Sequence, residues 1–296
     1  MNPVDATLLH WLQSCVQRSW FVDNIVVFAG NSSLFRGAVF AALLWWLWYR
    51  YQSERDRVIA TFMSSILAVM VARIIARVLP FRTRPLLDAA LRFRPPFDGT
   101  HFYNGAGFIG WSSFPSDHAV LFLCLATGVC FVSRRLGVLS GLYALLVICF
   151  PRVYMGIHYP TDILAGGTLG IAIGYALQHT QVRRALAQPI LTWSEQHPAG
   201  FYTLAFLATS QMAQMFDEPR RIAQEMAHGL RFALASPDRP ALALLSAALL
   251  LLGFLIIFEL GRSRRAVIRQ LHVPRDRGTF AVSSGKKNTE HAVLRR

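Results

Sequence analysis

The sequence predicts an all-α integral membrane protein: a transmembrane helix bundle of about seven spans with an N-terminal interfacial helix. Three observations predict it. Of the 296 residues, 54% are hydrophobic and only 16% are charged, against roughly 25% charged in an ordinary soluble domain. Several apolar runs reach or approach the roughly 20 residues that a helix needs to cross the hydrocarbon core. The arginines between these runs fall in alternate connections, the pattern that orients a chain in a membrane.

The elements follow in order. Leu8, Leu9, Trp11, Leu12 and Val16 lie near helical spacing and suit a helix lying in the interface. The first thirty residues show neither a basic n-region nor a small-residue cleavage site, so no signal peptide is expected. Leu34–Tyr49 is the first expected span. Val58–Leu79 is a clear one, with Arg73 and Arg77 as its only charges. Ala119–Val132, Leu136–Met155 and Ile163–Leu177 follow as shorter runs that can extend through uncharged neighbours. Gly166, Gly167, Gly170 and Gly174 in the last of these imply close helix contact. Phe201–Phe216 is interrupted by Gln211 and Gln214, whereas Ala241–Leu260 carries only Glu259.

Arg50, Arg55 and Arg57 share one connection, Arg134 and Arg135 a second, Arg183 and Arg184 a third. The positive-inside rule puts all three in the cytoplasm, and the loops Pro80–Pro115 and Gly156–Thr161 on the other side. Parity then makes Phe201–Phe216 a span, because otherwise Arg262–Arg265 would lie outside. The chain divides into an interfacial segment (1–33), a helix bundle (34–182), an extension with further spans (183–260) and a basic tail (261–296).

Composition also excludes functions. Cys15, Cys124, Cys130 and Cys149 are too few and too scattered for a disulfide scaffold or a CxxC metal or redox module. The net charge of +14 would suit nucleic acid, but it is concentrated after Gly261, where ten Arg or Lys face Asp276 and Glu290. A basic tail beside a span fits anionic lipid headgroups instead, and equally fits a disordered segment. Glu218–Ala235 suits an amphipathic helix on the outer face, with plain packing the favoured role.

Three stretches of the outward side carry candidate chemistry. Arg82, Arg84, Arg92 and Arg94, with Arg77 at the helix end, form an arginine cluster where basic residues are not expected. Fixed guanidinium forks suit a highly charged oxyanion. Next, Phe114-Pro115-Ser116-Asp117-His118 precedes a span. Ser116 can cap that helix, whose N-terminus offers N–H groups to an anion, and His118 can protonate a leaving oxygen. Taken alone, these residues favour a plain capping box. Third, His158 and Asp162 lie four apart around Pro160, at a helix start. A carboxylate there can hold one imidazole nitrogen and leave the other as a nucleophile. The competing explanation is an interfacial His–Asp pair that anchors the helix.

In order and spacing the three stretches resemble the type 2 phosphatidic acid phosphatase superfamily, whose signature is Lys-x6-Arg-Pro, Pro-Ser-Gly-His and Ser-Arg-x5-His-x3-Asp. The counterparts are Arg77-x6-Arg84-Pro85, Pro115-Ser116-Asp117-His118 and Pro151-Arg152-x5-His158-x3-Asp162. The resemblance implies that His158 attacks phosphorus, Asp162 orients His158, and His118 protonates the departing oxygen. It further implies that Arg77, Arg84, Arg152 and Ser116 hold the phosphoryl oxygens. No cofactor and no metal are expected, since arginines supply the charge that Mg2+ supplies elsewhere. Arg77 for Lys, Pro151 for Ser and Asp117 for Gly depart from the signature. Asp117 should repel phosphate unless it pairs with an arginine or raises the pKa of His118.

Pro-Ser-Asp-His and the short amphipathic segment before the first span are similar to bacterial undecaprenyl-diphosphate phosphatases of this superfamily. The expected activity is hydrolysis of a lipid (pyro)phosphate, with undecaprenyl diphosphate first among substrates, at the periplasmic side of a bacterial inner membrane. The alternatives are a phosphatidic acid or phosphatidylglycerophosphate phosphatase, a lipid-to-lipid phosphotransferase, and a non-catalytic transporter or scaffold. Transporters tend to show two related halves, and none are visible. The expected partners are the lipid substrate and membrane lipids, with no nucleic acid; oligomeric state is not legible.

Overall fold

The computed structural model describes residues 2–96 and 110–215, and every regular element within them is helical. Helix α1 (Pro3–Cys15) starts as its sequence dictates: Asn2 accepts the Asp5 N–H at 2.7 Å, and Pro3 occupies the first turn. Leu9, Leu12 and Val16 bury one stripe, while Leu8 and Trp11 stay exposed. The stripe packs against the bundle rather than lying apart from it. A second helix, α2 (Trp20–Asn31), occupies the rest of the segment expected to hold one interfacial helix. It meets the unit Leu34–Arg50, a π-helical stretch (Leu34–Ala38) running into α3 (Val39–Arg50), at a 64° bend.

Helix α4 (Arg55–Val78) and α5 (Asp117–Val132) form the centre. Ten of the sixteen residues of α5 are buried, as its continuous apolar run requires, and α4, α6 (Arg134–Tyr143) and α8 (Pro160–Leu177) enclose it. A π-helical stretch (Ala144–Cys149) links α6 to α7 (Phe150–Tyr154). Helices α9 (Thr180–Gln196) and α10 (Pro198–Ala213) pack on α4 and α3 respectively.

The glycine stripe of α8 has the role its spacing implied. A Cβ at Gly166 would come within 2.7 Å of the Ser116 carbonyl, and one at Gly170 would strike the Val120 carbonyl. With hydrogen alone there, α8 lies directly along α5 and parallel to it. Its first turn therefore stands beside the first turn of α5.

Among the described residues two helical stretches are long and apolar enough to cross a membrane, Gln52–Val78 and Arg134–Tyr154, or three if the bent α2–α3 pair counts as one span. The expectation of about seven spans is not reached among the described residues. Helix α5 has 16 residues and α10 has 16, short of the length that hydropathy counting assumes. Arg183 and Arg184 lie within α9 rather than in a loop. Phe216, Glu218–Ala235, Ala241–Leu260 and the basic tail lie outside the described residues.

The arginines used for orientation do gather at one end. Arg57 donates to the Phe131 carbonyl at 2.6 Å, and Arg183 pairs with Asp56 at 2.8 Å. Arg73, Ser116 and Asp162 stand at the opposite ends of α4, α5 and α8.

Candidate active site

Two chain turns meet at that opposite end. After α7 the chain reverses at Gly156, whose φ of +69° places it in the left-handed region. A Cβ there would lie 2.6 Å from the Phe93 ring, so only glycine fits. The Gly156 carbonyl accepts the Leu86 N–H at 2.9 Å, and the Arg82 carbonyl accepts the Ser113 N–H at 2.9 Å. The segments that follow α4 and precede α5 are thereby tied to the turn that carries His158.

His158 is buried. Its Nδ1 lies 2.8 Å from the Ser113 carbonyl. A carbonyl can only accept, so Nδ1 carries the proton and Nε2 keeps its lone pair. Arg84 Nη1 stands 3.5 Å from that Nε2 and is itself held by the Ile157 carbonyl at 2.9 Å. Burial lowers the His158 pKa below its ordinary value, and Arg84 adds to this while Asp162 opposes it. Burial also lowers Arg84, to about 10, so it stays charged at neutral pH.

Asp162 is fully buried but is not the nearest acceptor to His158. Its Oδ2 is 3.7 Å from Nδ1, beyond hydrogen-bonding distance. It takes the Tyr159 N–H at 2.8 Å, closing the start of α8, and pairs with Arg82 Nη1 at 2.5 Å. Arg82 continues to Asp5 at 2.6 Å and lies 4.0 Å over the Tyr159 ring. Asp5, fully buried, also accepts from the Thr161 N–H at 3.0 Å and hydroxyl at 2.7 Å. The carboxylate thus belongs to a chain, Asp162–Arg82–Asp5, that ends on α1.

Ser116 caps α5 as expected, its Oγ 3.5 Å from the Ala119 N–H, and its own N–H goes to the Asp162 carbonyl at 3.2 Å. Asp117 pairs with Arg73, which lies 4.7 Å over the Trp111 ring. This is one of the two escapes from repulsion that its sequence position required. His118 Nε2 stands 3.4 Å from Arg36 Nη1. Arg36, Arg84, Arg152 and His158 all lie within electrostatic reach of the His118 ring. Arg152 is buried, its Nη2 held by the Gly30 carbonyl at 2.8 Å. Arg77, in the last turn of α4, is exposed and makes no hydrogen bond or ion pair among the described residues. Of the other outward arginines, Arg92 and Arg94 stay apart from the histidines, with Arg94 tied by its backbone to Gln13.

The arrangement combines a fixed imidazole whose Nε2 keeps its lone pair, a second imidazole, and several cations at a helix N-terminus. Such a site can hold a phosphoryl group and attack it. Among the described residues no three His, Cys, Asp or Glu side chains converge as a metal site would need.

Residues 63–186 match the PAP2 superfamily. The chain carries a PAP2 superfamily domain. It is 29% identical to the lipid A 1-diphosphate synthase of Escherichia coli (strain K12), over 58% of this chain and 73% of that protein. It is 27% identical to the undecaprenyl-diphosphatase BcrC of Bacillus subtilis (strain 168), over 52% of this chain and 72% of that protein. The PAP2 type phosphatidylglycerolphosphate phosphatase of Bacillus subtilis, a solved structure, is 19% identical. It covers 61% of this chain and 87% of its own, with a TM-score of 0.39. His118, His158, Asp162, Arg77, Arg84, Ser116 and Arg152 all fall within the PAP2 domain. Asp5 and Arg36 lie before it.

Sequence reasoning missed Arg36, Arg73, Asp5 and Ser113. Nothing near Arg36 or Asp5 in the sequence announces the site. The contribution of Ser113 is a backbone carbonyl, which no residue type encodes. Arg73 showed one signal, a charge within an apolar run, and such charges call for a partner.

Proposed function

We propose that this protein is a membrane lipid phosphatase that removes the terminal phosphate of a polyprenyl diphosphate, undecaprenyl diphosphate being the first choice, through a phosphohistidine on His158. The single observation that carries the proposal is the state of His158. Its Nδ1–H is committed to the Ser113 carbonyl at 2.8 Å, and its Nε2 faces Arg84.

In this reading Nε2 attacks phosphorus while Arg84, Arg152 and the N-terminus of α5 capped by Ser116 stabilise the equatorial oxygens. Arg77 would join them by swinging inward from the exposed end of α4. His118 gives a proton to the departing oxygen, and water then cleaves the phosphohistidine. Asp162 acts on His158 through charge and through the Arg82–Asp5 chain more than through direct contact. The guanidinium groups take the role of metal, so the reaction runs without one. The site opens to the periplasm of a bacterial inner membrane, with about seven spans and the basic tail inside. The gathering of Arg57 and Arg183 at the other end of the bundle supports that orientation.

The substrate choice rests on the undecaprenyl-diphosphatase relative. The lipid A 1-diphosphate synthase relative supports a second reading, in which a lipid phosphate rather than water accepts the phosphoryl group. The test is an assay of the purified protein in excess chelator against matched lipid diphosphates and monophosphates, with and without a lipid acceptor. Release of inorganic phosphate from the diphosphate supports the proposal. Dependence on the acceptor supports the second reading, and silence under chelation overturns both.

A further inference from the structure

Arg36 stands beside the proposed acid although it lies outside the PAP2 domain. The chain takes some trouble to put it there. It sits on the π-helical stretch just after the 64° bend, and such stretches often mark functional sites. Its Nη2 donates to the Asn31 carbonyl at 2.9 Å and its Nε to the Ser32 carbonyl at 3.4 Å, both at the C-terminal end of α2. The stretch is clamped from outside. The Tyr143 hydroxyl donates to the Phe35 carbonyl at 2.6 Å, and Gly37 lies against the Ala213 backbone. The remaining nitrogen, Nη1, is thus aimed at His118 Nε2, 3.4 Å away.

That contact is consistent only with a neutral His118, whose Nε2 can accept. In the acid form both ring nitrogens are donors, and arginine has no acceptor at all. An oxyanion that enters beside both groups can take a hydrogen bond from each. When His158 Nε2 bonds to the terminal phosphorus of a lipid diphosphate, the bond from that phosphorus to the bridging oxygen breaks. The electron pair stays on the bridging oxygen, which takes the proton of His118. The group that leaves is a lipid monophosphate, with further charged oxygens on its own phosphorus. A monophosphate substrate releases an alcohol, which has none.

We propose that Arg36 binds the phosphate that remains on the lipid, and so sets a preference for diphosphates over monophosphates at this site. The inference rests on the His158 and His118 roles proposed above. It is tested on the full-length, detergent-purified protein with farnesyl diphosphate and farnesyl monophosphate, which share a tail.

Arg36→Gln should lower kcat/KM for the diphosphate about a hundredfold or more, the scale of one lost transition-state donor, and lower that for the monophosphate at least about tenfold less. Arg36→Lys, which keeps the charge and loses the fork, should recover part of the loss. Methylenediphosphonate should inhibit Arg36→Gln at least about tenfold more weakly than the parent, while orthovanadate inhibits both alike. Equal losses on the two substrates, an unchanged ratio, or unchanged diphosphonate inhibition would overturn the assignment. His158→Ala assayed in parallel separates the two levels: turnover surviving there would overturn the mechanism itself, and the role of Arg36 with it.

Discussion

At the α7–α8 turn, His158 is enclosed and fully committed: one nitrogen is bound to a carbonyl at 2.8 Å, and the other faces an arginine fixed by a second carbonyl. At the start of α5, His118 is half-buried and faces Arg36 across 3.4 Å. The first environment is complete before any ligand arrives. The second holds two groups that can both be cationic, and an entering anion can take a hydrogen bond from each. The difference matches the proposed division of labour between nucleophile and acid. A nucleophile benefits from fixed orientation, because attack needs a narrow geometry. An acid has to meet leaving groups of varying shape, and an arginine beside it lets the leaving group's own charge complete the site.

The largest effect that tests this contrast is at the proposed nucleophile. His158→Ala should cut kcat by about ten-thousandfold or more, the scale seen when a member of a nucleophilic triad is lost. It should also abolish an acid-labile, base-stable label from a brief reaction with labelled substrate. Retention of the label would place the covalent bond elsewhere.

Next comes the chain behind Asp162. Arg82→Ala would leave Asp5 and Asp162 buried without their shared cation, a loss of about 3–5 kcal/mol where a buried pair is broken. Thermal unfolding in detergent should register it. Asp5→Asn keeps the shape and removes one charge, so it should fold and lose about ten- to a hundredfold in kcat through Asp162. An Asp5→Asn protein with full activity would reduce the chain to a structural tie for α1.

On the acid side, His118→Ala should slow a monophosphate ester more than a diphosphate, because an alcohol leaving group needs the proton more than a phosphate does. Rates on the matched pair check this. The pH profile sharpens the contrast further. Burial lowers the His158 pKa, so the neutral nucleophile persists as the medium is acidified. Activity is present above that lowered value and is lost as pH falls through it. The acidic limb of kcat/KM should therefore lie below the ordinary histidine value of about 6.5. A limb above it would mean that the carboxylates, not burial, dominate.

The smallest effect should be Asp117→Gly. Its partner Arg73 is partly exposed, and such pairs contribute about 0–1 kcal/mol. The variant should keep activity within about tenfold, read on either substrate. A thousandfold loss would make Asp117 part of the chemistry.

The helical class was legible from composition, and most elements from their apolar runs: Val58–Leu79 became α4, Leu136–Met155 the α6–α7 unit, and Ile163–Leu177 α8. The count of spans was not legible in the same way. Hydropathy sees residues but not bends or breaks: the segment expected to be interfacial ends in α2, a second apolar helix that meets Leu34–Arg50 at a 64° bend. Around the site, the positions of His158, His118 and Arg84 were readable because their spacing to a helix start is local. Arg77 satisfies the same spacing and yet points outward, since one residue's step on α4 turns a side chain by about 100°.

The sequence by itself determined a helical membrane bundle, two histidines and an aspartate at helix starts, and a surplus of arginine to meet phosphate. Those properties follow from composition and from spacings of a few residues. Only the tertiary structure decided which groups complete them. Ser113 orients His158 by a carbonyl 45 residues away, Asp5 reaches Asp162 through Arg82, and Arg36 meets His118 across 82 positions. Such contacts depend on how the glycine face of α8 lets the helices close together, and nothing local in the chain records that packing.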